Sequence, residues 1–515
     1  MTRRVLHTTL LCGLAALLTV GPATAQKSKD TLRTAFQSPI ETIDLYLEPG
    51  PENALLTRTV YDGMVFFDER QSMFKPLLAK AWRQPEPLVY EFDLRGDIKW
   101  HDGEIFDADD VVYTVNWLID SKSKYRNPAD FAWIERIEKL ASDKVRIFAK
   151  EPFAPALVRA AYSLLIYPEH VHAGLKEKSD FGRAPVGTGH YRITQVDKNK
   201  GIAAERFDGF AHGGDYKVKS NIGRWSILPM PDTGTQTAQF LVGNLDYMRG
   251  VDREQAKDLS QKLGGSLTGV YGLNYTYALF DAKGRSGNEA LKDLRVRRAI
   301  MMAINRKDLM AFSGTEDSSQ QLGGLCFKSQ QGCGYSADQP GFDPAGAKKL
   351  LAEAGYSDGF DLEVTTYQGP TADFGKAVAG QLRQVGIKTS VDIRTLATAR
   401  KKISEGKIQL LVAGWSQGGL PDPQGTVRLF AQPPGDTDDY FGDALIAKLG
   451  GEVNGIVDDA KRREQVARLF DRMTEQVYVM PLVRTPQTFV QSKELSINPS
   501  SFNPYGADMQ DFRWK

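Results

Sequence analysis

The chain is poor in cysteine and histidine, and its charge is balanced. Its 515 residues include 3 cysteines and 6 histidines, with 65 basic residues against 64 acidic ones. A balanced charge provides no basic surface for nucleic acid. Hydrophobic residues make up 41% and charged residues 25%, which are the proportions of folded proteins and exclude a disordered chain or a membrane bundle. Because single cores stop growing near ~250 to 300 residues, the length predicts two or three lobes.

Long apolar runs are also scarce, and the one at the N-terminus is too short to span a membrane permanently. Arg3 and Arg4 precede the run LLCGLAALLTV, which is followed by GPATA. This order is typical of a secretory signal peptide ending at Ala25, and a twin-arginine export signal is the alternative reading of Arg3 and Arg4. Removal of both arginines leaves 63 basic and 64 acidic residues. We therefore expect a soluble mature protein outside the cytoplasm, with a net charge of about −1.

Two cysteines remain after removal of the signal peptide. Cys326 and Cys333 enclose six residues in CFKSQQGC, and an oxidising compartment favours a local disulfide between them. A zinc pair is the alternative. It would need two further ligands, and no histidine is near in sequence.

The stretch HDGEIFDADD, residues 101–110, carries one histidine and five carboxylates. It could hold a metal ion, but the sequence favours a structural explanation. Asp107 precedes a run with helical periodicity, and Asp110 lies three residues later, as in an N-cap with further acids in the first turn. Gly103 then provides the turn before the helix. We predict capping here and no metal site.

Residues 341–415 have the clearest pattern. Asp343 and Pro344 predict the start of a helix that ends before Gly355. Predicted strands at 360–367, 387–393 and 408–414 alternate with further helices. This alternation predicts an α/β lobe with a parallel or mixed sheet. The N-terminal half has short strands and turns rich in glycine and proline, and is expected to be α+β.

GWSQG, residues 414–418, matches the G-x-S-x-G motif of a hydrolase nucleophile, which would make Ser416 catalytic. The motif should run into a helix and be followed by a histidine, whereas Pro421 and Pro423 follow and the last histidine is His212. Ligands bind beyond the carboxyl ends of strands in open α/β sheets. We therefore favour Trp415, Ser416 and Gln417 as binding residues, with a core role for Trp415 as the alternative.

In this order along the mature chain, several segments resemble blocks of the extracellular solute-binding proteins of family 5. This is the peptide and nickel class of periplasmic binding proteins. The similar segments include TLRTAFQSPIETIDL, VYDGMVFFDE, LRGDIKWHDGEIFDADDVVYTV, APVGTGHYRI, LKDLRVRRAIMMAINRKDL and FDPAGAKKLLAEAGY.

The resemblance implies a type II-like periplasmic binding protein of α/β class, with two main lobes, an inserted third lobe and a cleft that closes by a hinge. It places the lobes as follows: lobe I at 26–56, 179–275 and 484–515; lobe II at 57–178; lobe III at 276–483. The ligand is implied to lie between lobes I and III. The disulfide would then stiffen a loop near the cleft mouth.

In peptide-binding members, an acid three residues beyond the tryptophan of lobe III pairs with the peptide amino group. Here Gly418 stands at that position, and Asp422 belongs to a segment one residue longer than usual. A different ligand class is therefore open, such as opines, glycosides, modified peptides or metal chelates. Gly418 and Asp422 stay candidates for ligand contact. Phe36 and Gln37, at the end of the first strand, are further contact candidates.

The implied function is that of a monomeric periplasmic receptor without a cofactor. It would capture a small solute, most simply a peptide or peptide-like one, and present it to an ABC permease and ATPase complex. A secreted serine hydrolase that uses Ser416 is the alternative from another class.

Overall fold

A computed structural model of the chain describes residues 30–37, 39–48, 51–251, 253–270, 272–312, 322–416, 420–500 and 507–515. The predicted signal peptide at residues 1–25 and the predicted site residues Gln417 and Gly418 lie outside this part. Within it, every helix is too short or too polar to cross a membrane.

The largest sheet of the described chain has seven strands and lies in the ranges assigned to lobe I. The first strand pairs in parallel with the two strands on either side of it, and the other pairings are antiparallel. The strands lie side by side in the order Ser266–Val270, Gln487–Gln491, Tyr247–Arg249, Thr31–Phe36, Arg224–Pro229, Gly201–Arg206 and Tyr191–Asp197.

A five-stranded mixed sheet forms the centre of the range assigned to lobe III. Its order is Lys388–Arg394, Asp361–Tyr367, Leu410–Ser416, Asn274–Phe280 and Val479–Arg484. The first three strands run parallel to one another, and the last two pair antiparallel with their neighbours. The three strands predicted from the sequence are confirmed, with boundaries shifted by one or two residues.

A four-stranded antiparallel sheet lies in the range assigned to lobe II, in the order Ala79–Glu86, Val89–Leu94, Lys144–Ala149 and Ile134–Ala141. Two small sheets pair Val65–Asp68 with Met73–Pro76, and Leu495–Ile497 with Phe512–Trp514.

The helices cover these sheets. In the first half of the chain they are Pro51–Val60, Ala108–Ile119, Ala156–Tyr162, Glu169–His172, Thr233–Leu241 and Arg253–Leu263. In the second half they are Leu294–Met302, Arg306–Phe312, Pro344–Glu353, Pro370–Arg383, Leu396–Ser404, Gln424–Phe430, Ala444–Glu452 and Asp459–Glu475. Short 3-10 helices lie at Pro128–Asp130, Lys178–Arg183, Glu289–Lys292, Val453–Gly455 and Met509–Asp511.

The buried side chains show how the parts join. One continuous core contains Leu32 and Trp225 from the seven-stranded sheet together with Trp100 and Val111 from the inserted segment. The five-stranded sheet has separate cores on its two faces. The segments assigned to lobes I and II therefore pack as one body, while the lobe boundaries themselves stay a prediction.

The predicted capping at Asp107 is confirmed. The helix begins at Ala108, the Asp107 carboxylate accepts from the Asp109 amide at 2.8 Å, and the Asp110 carboxylate accepts from the Asp107 amide at 3.1 Å. Gly103 has a φ of 101°, as the turn requires. Asp110 also accepts from the Trp100 indole N–H at 3.1 Å, so it links the turn to the core.

Replacing Asp107 by alanine is expected to lower the free energy of unfolding by about 1 kcal/mol, because the first turn of the helix loses its cap. Urea unfolding followed by far-UV circular dichroism measures this. Glu104→Ala is the control, since Glu104 is exposed in the same stretch but lies outside the helix. Equal unfolding free energies for the two variants would contradict the capping role.

Candidate functional site

A cavity of about 610 Å³ lies where the three predicted lobes meet, and we call it the central cavity. Its volume is in the range of small-molecule sites. Most of its wall comes from the inserted segment, rather than from lobes I and III as expected. The lining residues are Leu45, Tyr46, Ala54, Arg58, Tyr125, Asn127, Asp130, Phe131, Arg159, Tyr162, Ser163, Arg400, Ser416 and Leu420.

One wall of the central cavity is aromatic. The Tyr46 ring meets the rings of Tyr125 and Phe131 edge to face, with centroids 6.2 and 5.8 Å apart. The Tyr46 hydroxyl donates to the Leu165 carbonyl at 2.7 Å, which fixes the ring. Burial raises the pKa of Tyr125 to about 12, so its hydroxyl stays neutral at physiological pH. This wall provides rigid apolar surface for a solute.

The lining also includes the end of the strand Leu410–Ser416. The strand is buried through Ala413, whereas Gly414 and Ser416 are exposed. Ser416 lies opposite Asn274 on the neighbouring strand. Ser416 is thus the one residue of the predicted set that lines the central cavity within the described chain, in agreement with the strand-end argument.

Trp415, the neighbour of Ser416, does not line the central cavity. Successive side chains of a strand point to opposite faces of its sheet. The Trp415 indole is half-buried against the core of the five-stranded sheet and donates to the Thr426 hydroxyl at 3.2 Å. Its role as a ligand contact stays a prediction, and its position agrees with the core alternative.

The position of Asp422 differs from the expectation that it contacts the ligand. Asp422 is only 2% exposed, and its carboxylate accepts from Arg462 Nη1 at 2.6 Å and from Arg462 Nη2 at 2.9 Å. The Gln424 amide also donates to it, at 2.7 Å. Because this bidentate ion pair uses both oxygens, Asp422 holds the segment after the strand and does not face the cavity.

Phe36 and Gln37 also lie away from the central cavity. Phe36 is 4% exposed within the core, and the Arg249 guanidinium lies 5.4 Å from its ring centroid. Gln37 is exposed after the end of the first strand. The last residues of this strand pack inward, so burial removes Phe36 from the surface that a ligand could reach.

Cys326 and Cys333 form a disulfide in the structure, with their sulfur atoms 1.92 Å apart. The loop between them contacts the segment that borders the cavity. The Gln330 side-chain amide donates to the carbonyls of Leu420 and Asp422 at 3.2 and 3.0 Å, and the Gln331 amide donates to the Pro421 carbonyl at 2.8 Å. The disulfide loop therefore supports Leu420, which lines the central cavity.

Arg159 crosses from the inserted segment to the five-stranded body. Its guanidinium pairs with Asp130 at 3.1 Å and donates to the Gln424 side chain at 3.0 Å. Burial lowers the pKa of Arg159 from its usual value, and the Asp130 carboxylate opposes that change. Nearby, the Ala154 amide donates to the Asn454 carbonyl at 2.8 Å. These bonds link the inserted segment to the body that contains the five-stranded sheet.

The described residues offer no clear catalytic or metal-binding group at the central cavity. Ser416 lines the central cavity, but none of the described histidines does. Across the described residues, no group of three or more histidine, cysteine or acidic side chains is placed to hold a metal ion. The arrangement offers aromatic surface, hydrogen-bonding side chains and guanidinium groups, which suits binding of a solute.

Sequence patterns missed most of this site. Tyr46, Arg58, Arg159 and Arg400 lie far apart along the chain and belong to no local motif. These residues come together only when the chain is folded.

Comparison with known proteins agrees with the family suggested by the motifs. The sequence model described as "Bacterial extracellular solute-binding proteins, family 5 Middle" matches residues 73–438. The chain is 26% identical over 415 residues to the glutathione-binding protein GsiB of Pectobacterium atrosepticum, covering 78% of this chain and 77% of that one. It is 24% identical over 394 residues to a dipeptide-binding protein of Escherichia coli, covering 70% of this chain and 71% of that one.

The fold has close counterparts among solved structures. The ABC transporter substrate-binding protein CtaP of Listeria monocytogenes superposes with a TM-score of 0.82 at 17% identity, covering 94% of this chain and 99% of that one. This likeness confirms the predicted fold class. The chain belongs to the bacterial extracellular solute-binding proteins of family 5, which serve ABC importers.

Proposed function

We propose that this chain is the periplasmic receptor for a peptide or peptide-like solute, which it delivers as a monomer to an ABC permease and its ATPase. The central cavity supports this proposal most directly, because its volume of about 610 Å³ suits a short peptide. Relatives named for binding glutathione and dipeptides, at 26% and 24% identity, point to the same chemical class.

The cavity residues suggest how such a solute is held. Tyr46, Tyr125 and Phe131 would pack against its apolar parts, while Asn127, Ser163 and Ser416 would hydrogen-bond to amide groups. Peptide groups carry donors and acceptors that must be satisfied when they leave water. Side chains from separate parts of the chain would meet the solute together, so its binding favours the closed cleft.

Recognition of a free amino group is not part of the proposal. Gly418 replaces the acid found in the resembling peptide-binding proteins, and the carboxylate of Asp422 is buried against Arg462. Asp130, the acid that lines the central cavity among the described residues, is paired with Arg159. Peptide-like solutes with a blocked or absent amine are therefore included.

No chemistry on the solute is proposed. Ser416 would need a general base to act as a nucleophile, and the described lining of the cavity includes no histidine, lysine or glutamate. The hydrolase alternative rests on the G-x-S-x-G match of residues 414–418, and the described lining of the cavity adds no general base to it.

A thermal-shift screen of the mature protein tests the proposal. The panel contains di- to pentapeptides, their N-acetylated forms, glutathione, opines, glycosides and nickel chelates. A solute present at 100 times its Kd stabilises the folded state by about 2.7 kcal/mol, so its binding raises Tm. We expect shifts with peptides, glutathione or acetylated peptides. Shifts confined to glycosides or nickel chelates would contradict the proposed solute class.

A further inference from the structure

Basic side chains outnumber acidic ones among the described residues that line the central cavity. Among the described residues that line it, three are arginines, namely Arg58, Arg159 and Arg400, and one is an acid, Asp130. The uncharged remainder is aromatic, aliphatic or neutral polar. The cavity therefore has an excess of positive charge, although the whole chain is nearly neutral.

Arg159 and Asp130 form an ion pair in which their opposite charges neutralise each other. Their side chains are 10% and 20% exposed and meet at 3.1 Å. The Arg159 guanidinium also donates to the Ser163 hydroxyl at 3.4 Å and to the Gln424 side chain at 3.0 Å. These contacts commit Asp130 to the protein, so it is a poor partner for an ammonium group of a solute.

Arg58 extends from the helix Pro51–Val60 and is half-buried. Its guanidinium lies 4.6 Å from the centroid of the Tyr162 ring, and no ion pair of Arg58 occurs within the described chain. Glu69 and Asp508 line a smaller adjacent cavity of about 50 Å³ that Arg58 also borders, but neither lines the central cavity. Both oxygens of Glu69 accept from the Ser500 hydroxyl at 2.7 Å.

Arg400, on the helix Leu396–Ser404, also lines the central cavity and is exposed. Like Arg58, it has no ion pair within the described part of the chain. The two guanidinium groups therefore border one cavity from separate bodies of the protein, each without a carboxylate of its own.

We propose that the solute is a net anion with two acidic groups, one bound by Arg58 and the other by Arg400, and that it needs no ammonium group. This inference rests on the proposed receptor function and narrows its solute class. Guanidinium groups bind carboxylates through paired, charge-assisted hydrogen bonds. In a partly enclosed cavity such bonds are less screened than on an open surface. A dianion bound by both groups would join the two sides of the cleft.

Calorimetric titration with four matched probes tests the inference. The probes are N-acetyl-Ala-Glu with two carboxylates, N-acetyl-Ala-Gln with one, N-acetyl-Ala-Gln amide with none, and Ala-Gln with one carboxylate and a free amine. We expect affinity to fall with each carboxylate removed, and Ala-Gln to bind no more tightly than N-acetyl-Ala-Gln. One charged hydrogen-bonding contact corresponds to roughly tenfold or more in Kd.

Two arginine variants test which side chains bind the carboxylates of the probe. Arg58→Gln and Arg400→Gln should each weaken N-acetyl-Ala-Glu by roughly tenfold or more, and each should reduce the preference for it over N-acetyl-Ala-Gln. Arg463→Gln is the control, because Arg463 is exposed and does not line the central cavity. The Arg463→Gln variant removes the same charge and should leave the affinities for the probes unchanged.

The outcomes separate this inference from the receptor function. If the uncharged probe or Ala-Gln binds as tightly as N-acetyl-Ala-Glu, the charge inference is wrong while a peptide receptor stands. Equal affinity of the two arginine variants and the control also overturns it. If neither these probes nor any peptide-like compound in the thermal-shift panel binds, the proposed function fails, and the inference fails with it.

Discussion

Replacing Asp62 by asparagine is expected to lower the free energy of unfolding by about 3–5 kcal/mol, because it leaves a buried cation without its partner. Asp62 is 1% exposed and Lys217 is 5% exposed. The Asp62 carboxylate pairs with the Lys217 ammonium and accepts from His212 Nε2 and the Thr188 hydroxyl, each at 2.8 Å. Burial alone would raise the pKa of Asp62, but Lys217 and His212 outweigh it and lower that pKa well below its usual range.

The size of the effect follows from the position of this cluster. Asp62 belongs to the inserted segment, whereas Thr188, His212 and Lys217 follow that segment in the chain. The cluster thus fastens the inserted segment to the body that contains the seven-stranded sheet. Loss of the carboxylate charge should weaken both the local packing and that junction.

Chemical denaturation at pH 7.5 measures the change. Glu41→Gln is the matched control, because Glu41 pairs with Lys198 on the surface, where both side chains are more than half exposed. Exposed ion pairs contribute little to stability, so this variant should unfold like the parent. If Asp62→Asn and Glu41→Gln have the same unfolding free energy, the buried cluster does not have the structural role assigned to it.

Acidification from pH 6.5 to pH 4 is expected to destabilise the protein steeply, because three buried histidines are neutral in the folded state. Burial lowers the pKa of His101 and His172 to about 4 and that of His190 to about 3. In the unfolded chain these groups titrate near ~6.5. Between the folded and unfolded values the unfolded state binds more protons, so stability present above pH ~6.5 is lost as the pH falls.

Each such histidine contributes a slope of up to about 1.4 kcal/mol per pH unit. Unfolding free energies from urea titrations at pH 7, 6 and 5 measure the slope. His172→Gln should reduce it by one histidine's share, since His172 is fully buried and its Nε2 has no hydrogen-bond partner among the described residues. His170→Gln, on the same short helix but exposed, should retain the steep dependence. A slope that His172→Gln leaves unchanged would contradict the neutral, buried state of His172 in the folded protein.

Local signals in the sequence were sufficient for many elements of the fold. Asp107 and Asp343 both cap the helices that their spacing predicts, and each carboxylate accepts from a backbone amide in the first turn. The alternating segments between 360 and 414 form the parallel strands of the five-stranded sheet. These features depend on neighbours a few residues apart, which is why a single sequence reveals them.

The site depends on contacts that the sequence does not record. The end of a strand indicates Ser416, whereas Arg58 and Arg400 line the same cavity from helices more than 300 residues apart. The local motif offers Asp422 as a ligand contact, but its buried partner Arg462 lies 40 residues further along the chain. Pairing across such separations follows from the packed fold, so sequence patterns alone do not show the environment of Asp422.

If the solute binds in the central cavity, a side chain that fills this cavity should prevent binding. Ala54 lines the cavity on the helix Pro51–Val60, and Ala54→Trp would fill part of the space. Ala352→Trp is the control, since Ala352 is exposed on the helix Pro344–Glu353 and does not line the cavity. Both variants are titrated calorimetrically with the compound that gives the largest thermal shift. We predict that Ala54→Trp abolishes binding and that Ala352→Trp binds like the parent. Parent-like affinity in a folded Ala54→Trp protein would contradict the assignment of the site.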